Sequence, residues 1–299
     1  MMRLKTKYLF FAFMAIGTFI PGNSLFAQVK IGVFADCQYC NCNASGTRFY
    51  RNSLDKLNDC IDEFNSTYDI DFIVGLGDLI DNDFSSYKTV NSILEKAHKT
   101  VYNVIGNHDY SVEPQYYNDV PKQLGLIHTY YTVEKEGWKF IFLNGNEITF
   151  QSTDKRVLRK ADKMVAKLTA SKKPNNQKWN GGMSKKQVRW LKNELKSSEK
   201  ENLKVVLFCH FPIVLNEMHS LWNNEEILKL INKFDCVKAW INGHDHSGGY
   251  IQQNGIHFIT MKGMVETESE NSFSIISFSE ENIKIDAFGR GVDRNLPVR

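Results

Sequence analysis

Five short apolar runs, widely separated in the chain, each stop at a residue able to hold a metal ion, and that pattern limits the fold more than composition does. Residues 29–35 run into Asp36-Cys37-Gln38, and the run from Phe72 halts at Gly77 and delivers Asp78. Residues 101–105 lead to Gly106-Asn107-His108-Asp109, residues 205–209 to His210-Phe211-Pro212, and residues 236–241 to Asn242-Gly243-His244-Asp245-His246. Apolar runs of this length with β-branched residues and bounding glycines mark buried parallel strands, whose carboxyl ends carry the chemistry of α/β folds. One strand followed by Gly-Asp says little, since aspartate commonly closes a turn. Five such ends, all with oxygen or imidazole side chains, predict that these loops converge.

Between the runs the apolar period becomes that of helices. Leu54, Leu57, Ile61 and Phe64 share one face of 47–66, and Val90, Ile93, Leu94 and Ala97 one face of 85–99, so strand, helix and strand form βαβ units. Residues 138–143 are a further apolar strand, ending at Asn144-Gly145-Asn146. Ser184-Lys185-Lys186-Gln187 is a capping box opening a helix whose Val188, Leu191 and Leu195 face the core, and 225–234 reads as another helix. Residues 257–261, 273–279 and 283–288 alternate as strands, expected to complete a second sheet packed on the first. From Asp154 to Lys200 the chain holds 15 basic and 4 acidic residues; this reads as a solvated helical face, although it could attract an anionic substrate.

The first 27 residues stand apart. Arg3, Lys5 and Lys7 precede the apolar run 8–20, and Pro21-Gly22 leads to Ser24-Leu25-Phe26-Ala27 before Gln28, the pattern of a secretory signal peptide. The run falls short of the roughly 20 residues of a membrane span, which predicts cleavage rather than anchoring, export to the periplasm or exterior, and one domain over 28–299. The chain has 37 Lys+Arg against 34 Asp+Glu, and the leader's three basic residues account for the net charge of +3. The remainder is neutral and gives no case for nucleic acid. Cys37, Cys40 and Cys42 imitate a metal knuckle, but no second CxxC or His pair at zinc-finger spacing accompanies them. Cys209 and Cys236 read as small buried residues, and disulfides stay open.

Carboxylate, amide and imidazole donors together suit Mn²⁺, Fe²⁺ or Zn²⁺, and the strand ends supply enough for two ions sharing one aspartate. A pair of ions about 3.5–4 Å apart activates water and clamps the oxygens of an in-line displacement at phosphorus. His108 would be left to protonate the leaving oxygen or steady the phosphoryl charge. In this order DCQ, GD, GNHD, CHFP and GHDH resemble the motifs of the calcineurin-like metallophosphoesterases: D-x-H, GD, GNH[D/E], a later His and GHxH. The resemblance implies a four-layer α/β/β/α sandwich, two packed mixed β-sheets flanked by helices. It also implies one site of Asp36, Gln38, Asp78 and His246, a second of Asp78, Asn107, His210 and His244, and His108 as the catalytic histidine.

Gln38 departs from the family's usual first histidine, and an amide oxygen there favours Mn²⁺ over Zn²⁺, with Fe²⁺ and Mg²⁺ left open. This glutamine resembles the branch of Mn²⁺-dependent ADP-ribose/CDP-alcohol diphosphatases. So do Gly46-Thr47-Arg48 with Tyr50-Arg51, Asn180-Gly181-Gly182, Leu221-Trp222-Asn223, Ser247-Gly248-Gly249-Tyr250, and Gly289-Arg290-Gly291 with Asp293-Arg294. The branch implies hydrolysis of the diphosphate linkage of ADP-ribose or CDP-alcohols, small-molecule substrates. Arg48, Arg51 and Arg290 would then fork onto the second phosphate, and His219, Trp222 and Tyr250 would stack a base. His98, His128 and His257 match no motif and read as structural. The same ions would serve a phosphomonoesterase or cyclic-nucleotide phosphodiesterase, and a nucleotide-binding protein without turnover could keep the fold.

Overall fold

A computed structural model describes residues 28–298, so the leader expected at 1–27 lies outside the described residues. The elements run β1 (Val29–Phe34), α1 (Asn52–Ser66), β2 (Phe72–Gly75), α2 (Ser86–Leu94), β3 (Val101–Asn103), α3 (Val120–Gln123), β4 (Tyr131–Lys135), β5 (Trp138–Phe142) and α4 (Lys155–Ala170). They continue with α5 (Lys185–Lys200), β6 (Lys204–Phe208), α6 (Asn224–Ile231), β7 (Val237–Asn242), β8 (Gly249–Gln253), β9 (Ile256–Thr260), β10 (Ser272–Phe278), β11 (Asn282–Gly289) and β12 (Arg294–Pro297). Among the described residues no helix is long and apolar enough to cross a membrane.

Both faces of the central strands are apolar, and each face finds a different layer. Ile31 and Val33 of β1 and Phe72 and Val74 of β2 meet Phe140 and Phe142 of β5 and Val206 and Phe208 of β6 between two sheets. Successive strand residues point to opposite sides. Phe34 and Ile73 therefore turn outward onto Leu57, Ile61 and Phe64 of α1 and Tyr87 and Val90 of α2. In the other sheet Val205, Leu207 and Trp240 pack on Leu191 and Leu195 of α5 and Ile227 and Ile231 of α6. The result is the α/β/β/α sandwich that the motifs imply.

Strand order is β12-β11-β10-β1-β2-β3 in one sheet and β4-β5-β6-β7-β9-β8 in the other. This corrects the expected grouping of the last three strands. β10 pairs antiparallel with β1 and takes β11 with it into the first sheet, while β9 pairs parallel with β7. Alternation identifies a strand but not its neighbour, which is fixed by contacts remote in sequence. The expected capping box is also only half formed. Ser184 Oγ accepts from Gln187 N at 3.2 Å, but the Gln187 amide turns inward, accepting from Asn144 N and donating to Asn144 O, both at 2.8 Å. It thereby pins the loop leaving β5. α4 buries only Ala161, so the basic run is largely a solvated face.

The carboxyl ends of β1, β2, β3, β6 and β7 lie side by side, and pairing continues past the strands. Asp36 N donates to Gly77 O at 3.2 Å, Gln38 N to Asp78 O at 2.8 Å, and Gly243 N to His210 O at 3.1 Å. These bonds join the β1 loop to the β2 loop and the β6 loop to the β7 loop. His108 N, after β3, donates to Asp78 Oδ1, and His210 Nδ1 reaches Leu76 O across the two sheets. Cys40 and Cys42, just beyond Gln38, form a disulfide, while Cys37, Cys60, Cys209 and Cys236 are buried free thiols.

Candidate metal centre

Asp78 is the corner where two donor clusters meet. His210 Nε2 lies 3.1 Å from Asn107 Oδ1, 3.1 Å from His244 Nδ1 and 3.2 Å from Asp78 Oδ2. On the other side Gln38 Nε2 lies 3.1 Å from the same Asp78 Oδ2 and 3.1 Å from His246 Nε2, and His246 Nε2 is 3.6 Å from Asp36 Oδ1. The structure thus brings together all seven residues assigned as ligands from the sequence, and both clusters share one carboxylate oxygen. Their backbone is unusual: φ is +53° at Asp36, +46° at Gln38, +56° at Asp78 and +68° at His244. Residues without glycine's freedom take such values at a cost, and they concentrate at functional sites.

The donor chemistry fits divalent ions. Gln38 is fully buried and its Oε1 has no hydrogen-bond partner, an orphaned acceptor that a half-turn of the amide aims where Nε2 now points, beside Asp78 and His246. His210 Nδ1 donates to Leu76 O at 2.8 Å, and His246 Nδ1 faces Glu266 Oε1 at 2.6 Å. With a proton held at each outer nitrogen, Nε2 is the atom each ring has left to turn a lone pair toward a cation. The geometry supplies two mixed oxygen and nitrogen sets, as borderline ions require.

Electrostatics is set by the same crowding. Burial works against the Asp78 anion, but the imidazoles of His210 and His108 outweigh it and hold the carboxyl well below its usual range. Burial disfavours the His210 imidazolium, yet the Asp78 charge raises it above an ordinary histidine. Asp109 supports Asp78 from behind. Its carboxylate accepts from Asp78 N and Leu79 N at 3.0 Å and from Gly106 N at 2.8 Å, while burial and the Asp78 charge push it up to about 7. Gly106 is required at this point, because a Cβ there would collide with the Asp78 carboxylate and amide.

His108 stands at the mouth. Its N–H donates to Asp78 Oδ1 at 2.7 Å, and its Nδ1 lies 2.9 Å from Asp81 Oδ1. Burial lowers its pKa, but Asp78 and Asp81 reverse the effect and leave it above the usual histidine value. Outside the clusters, Arg48, His108, Trp179 and His219 complete a cleft of about 370 Å³. Arg48 and His219 thus lie where the sequence expects substrate contacts.

Four other expected contacts lie elsewhere. Arg51 forks onto Asn41 Oδ1 and Asn43 Oδ1 at 2.6 and 3.0 Å and braces the segment that holds the Cys40–Cys42 disulfide. Arg290 donates through Nη2 to Gly263 O. Trp222 is only 3% exposed, donates to Gln177 O at 3.0 Å and packs edge-on against Phe150. Tyr250 bonds His257 Nδ1 at 3.1 Å under the guanidinium of Arg294. The aromatic that does face the cleft is Trp179, 46% exposed, which sequence reasoning passed over. It adjoins the Asn180-Gly181-Gly182 motif, the one signal that could have found it. Asp81, Asp109 and Glu266, each bonded to a candidate ligand or to His108, were likewise given no role, and Asn180, named only as part of its motif, bonds His244.

Comparison with known proteins bears on this geometry. Residues 29–248 match the family model described as calcineurin-like phosphoesterase. A protein of Xenopus laevis named manganese-dependent ADP-ribose/CDP-alcohol diphosphatase is 28% identical, with 90% of each chain covered. An Arabidopsis thaliana protein of the same name is 26% identical, covering 79% of this chain and 86% of its own. Among solved structures, a dimetal phosphatase from Danio rerio superposes with a TM-score of 0.81 at 22% identity, over 91% of this chain and 99% of its own.

Proposed function

We propose, from the premise that this chain belongs to the calcineurin-like phosphoesterase family, that it is a two-metal hydrolase cleaving the diphosphate linkage of nucleoside diphosphate derivatives. ADP-ribose and CDP-alcohols are the substrates and Mn²⁺ the ion to test first, since they name the function of relatives aligned over most of the chain. The carrying observation is the gathering of six further donor residues around Asp78, with the orphaned Oε1 of Gln38 among them.

The ions, when bound, supply Lewis acidity and an activated water. The chain's own groups do the rest. His108, biased toward its protonated form by Asp78 and Asp81, offers a proton or positive charge to the leaving phosphate oxygen. Arg48 contributes a planar guanidinium for the second phosphate, which a monoester lacks, with its Nε 3.9 Å from Glu266 Oε1. Trp179 offers the base a stacking face, and His219 closes the cleft beside His244, their rings 5.3 Å apart.

Purified protein incubated with Mn²⁺ and ADP-ribose should release AMP and ribose phosphate with no initial free phosphate. Prompt phosphate release from simple monoesters, with ADP-ribose untouched, would reject this substrate class. Export belongs to the same proposal: the leader pattern supports it, and the Cys40–Cys42 disulfide suits an oxidising compartment. Amino-terminal sequencing of the cell-derived protein should begin at Gln28; a cytoplasmic protein starting at Met1 would reject export.

A further inference from the structure

His210 and His246 have their outer nitrogens fixed by a main-chain carbonyl and a carboxylate, but His244 depends on a different kind of partner. Its Nε2 lies 3.0 Å from Asn180 Oδ1, and both residues are buried. An amide can present either its oxygen or its nitrogen, so the bond alone does not say which atom of the ring carries the proton. The rest of Asn180 decides it. Asn180 Nδ2 donates to Met218 O at 2.8 Å and to Asn175 O at 3.3 Å, two carbonyls that can only accept. With the nitrogen committed there, Oδ1 must face the ring as acceptor, and His244 Nε2 must be the donor.

From this we infer that Asn180 is a positioning residue: it locks His244 in the tautomer whose Nδ1 is bare, and so builds the donor set shared with His210 and Asn107. The opposite tautomer would place an N–H at Nδ1, 3.1 Å from His210 Nε2, and would close that position to a cation. The lock comes from a strap of chain, Asn175 to Gly182, that reaches the metal-facing residues through the Asn180–His244 bond. Asn175 Nδ2 ties the strap to Leu221 O at 2.8 Å, and Trp222 N donates to Gly181 O at 2.8 Å. Trp179, the aromatic at the cleft, immediately precedes Asn180 on the same strap. One connection between α4 and α5 therefore carries both a contact for the substrate and the setting of a metal ligand.

The inference rests on the two-ion reading, and metal binding tests the two separately. Free Mn²⁺ is followed by its electron paramagnetic resonance signal while wild type, Asn180→Ala and Asn180→Asp are titrated. Wild type should take up two ions. Asn180→Ala should keep one at wild-type affinity and bind the other about 10- to 100-fold more weakly, the usual effect of losing such an outer partner. Asn180→Asp separates positioning from mere anchoring, since it keeps the acceptor for His244 but loses both donor bonds, to Asn175 O on the strap and to Met218 O outside it. It should hold the second ion far more tightly than Asn180→Ala. Wild type binding at most one ion would overturn the two-ion reading and this inference with it. Two ions in wild type with unchanged binding in Asn180→Ala, or equal weakening in both variants, would overturn the inference alone.

Discussion

Replacing Trp179 by alanine should weaken catalysis on nucleotides without harming the fold. The indole belongs to a residue 46% exposed at the cleft, and a tryptophan side chain offers roughly 250 Å² of surface, so about 100 Å² is open to a ligand. A base stacked on it covers between half and all of that, which at ~25 cal/mol per Å² is about 1.2–2.5 kcal/mol. Alanine substitutions at base-stacking aromatics fall in the same range of about 1–3 kcal/mol. At 1.36 kcal/mol per factor of ten, kcat/KM for ADP-ribose should fall by about 10- to 70-fold. The control is a dialkyl diphosphate, which has the scissile linkage but no base, and its kcat/KM should change by less than about twofold. Thermal melting should move little, because the indole is not core. Equal losses on both substrates would mean that Trp179 shapes the metal centre rather than the base site. An unchanged ADP-ribose rate would remove it from substrate binding altogether.

His108→Ala should leave Mn²⁺ stoichiometry at the wild-type value but slow turnover by roughly 10²- to 10⁴-fold, and unchanged turnover would take His108 out of the chemistry. Gln38→His exchanges an amide for an imidazole and should shift the bound-metal ratio from Mn²⁺ toward Zn²⁺, read by elemental analysis after dialysis against both; an identical ratio would count against Gln38 as a ligand. In Gly77→Ala, Cβ must share space with Gly106 N at 2.6 Å and His210 Nδ1 at 2.8 Å while φ stays near +91°. Strain of ~1–2 kcal/mol and overpacking of ~1–3 kcal/mol predict a loss of about 2–5 kcal/mol in urea unfolding, and a change below about 1 kcal/mol would contradict the packing. Each ion present at 100 times its Kd contributes about 2.7 kcal/mol, so chelation should lower Tm by about 5–10 °C per ion lost; a chelator-insensitive melt would refute metal binding to the native state.

The strand-end ligands were legible because each sits where a local apolar run stops, and a run of five to seven residues is visible without knowing its neighbours. Asp36, Asp78, Asn107, His210 and His244 share that origin. Sheet membership was not legible, since β10 joins β1 across more than two hundred residues and its pattern would serve equally well beside β9. The substrate side was harder for a related reason. Trp179 and Trp222 are both loop tryptophans, and what separates them is that Ile148 and Phe150 cover Trp222 while the strap lifts Trp179 to the cleft. The arginines tell the same story: Arg48 lines the cleft and Arg51, three residues on, turns back to Asn41 and Asn43. Charge and aromaticity name candidates, but burial by remote segments selects among them.

Four ligand residues in left-handed conformation are expensive, of order 1–3 kcal/mol each, against a total stability of about 5–15 kcal/mol for a domain. The geometry gives a reason for the expense. A residue that stays extended points its side chain into one layer or the other, whereas a left-handed residue at a strand end breaks the alternation and lets the carboxylate, amide or imidazole aim beyond the sheet edge. The surrounding backbone holds each strained residue from more than one direction. Asp36 is bonded through its N–H to Gly77 O and through its carbonyl to Val265 N at 2.9 Å, and its carboxylate takes His244 N at 3.1 Å. Asp78 is held by Asp109 at its amide and by Gln38 at its carbonyl. The donors are therefore aimed by bonds within the protein itself, an arrangement that limits how much loop ordering the binding of an ion must accomplish. Strain at the strand ends and preorganisation of the metal centre are two consequences of one backbone arrangement, offset by the four-layer core beneath it.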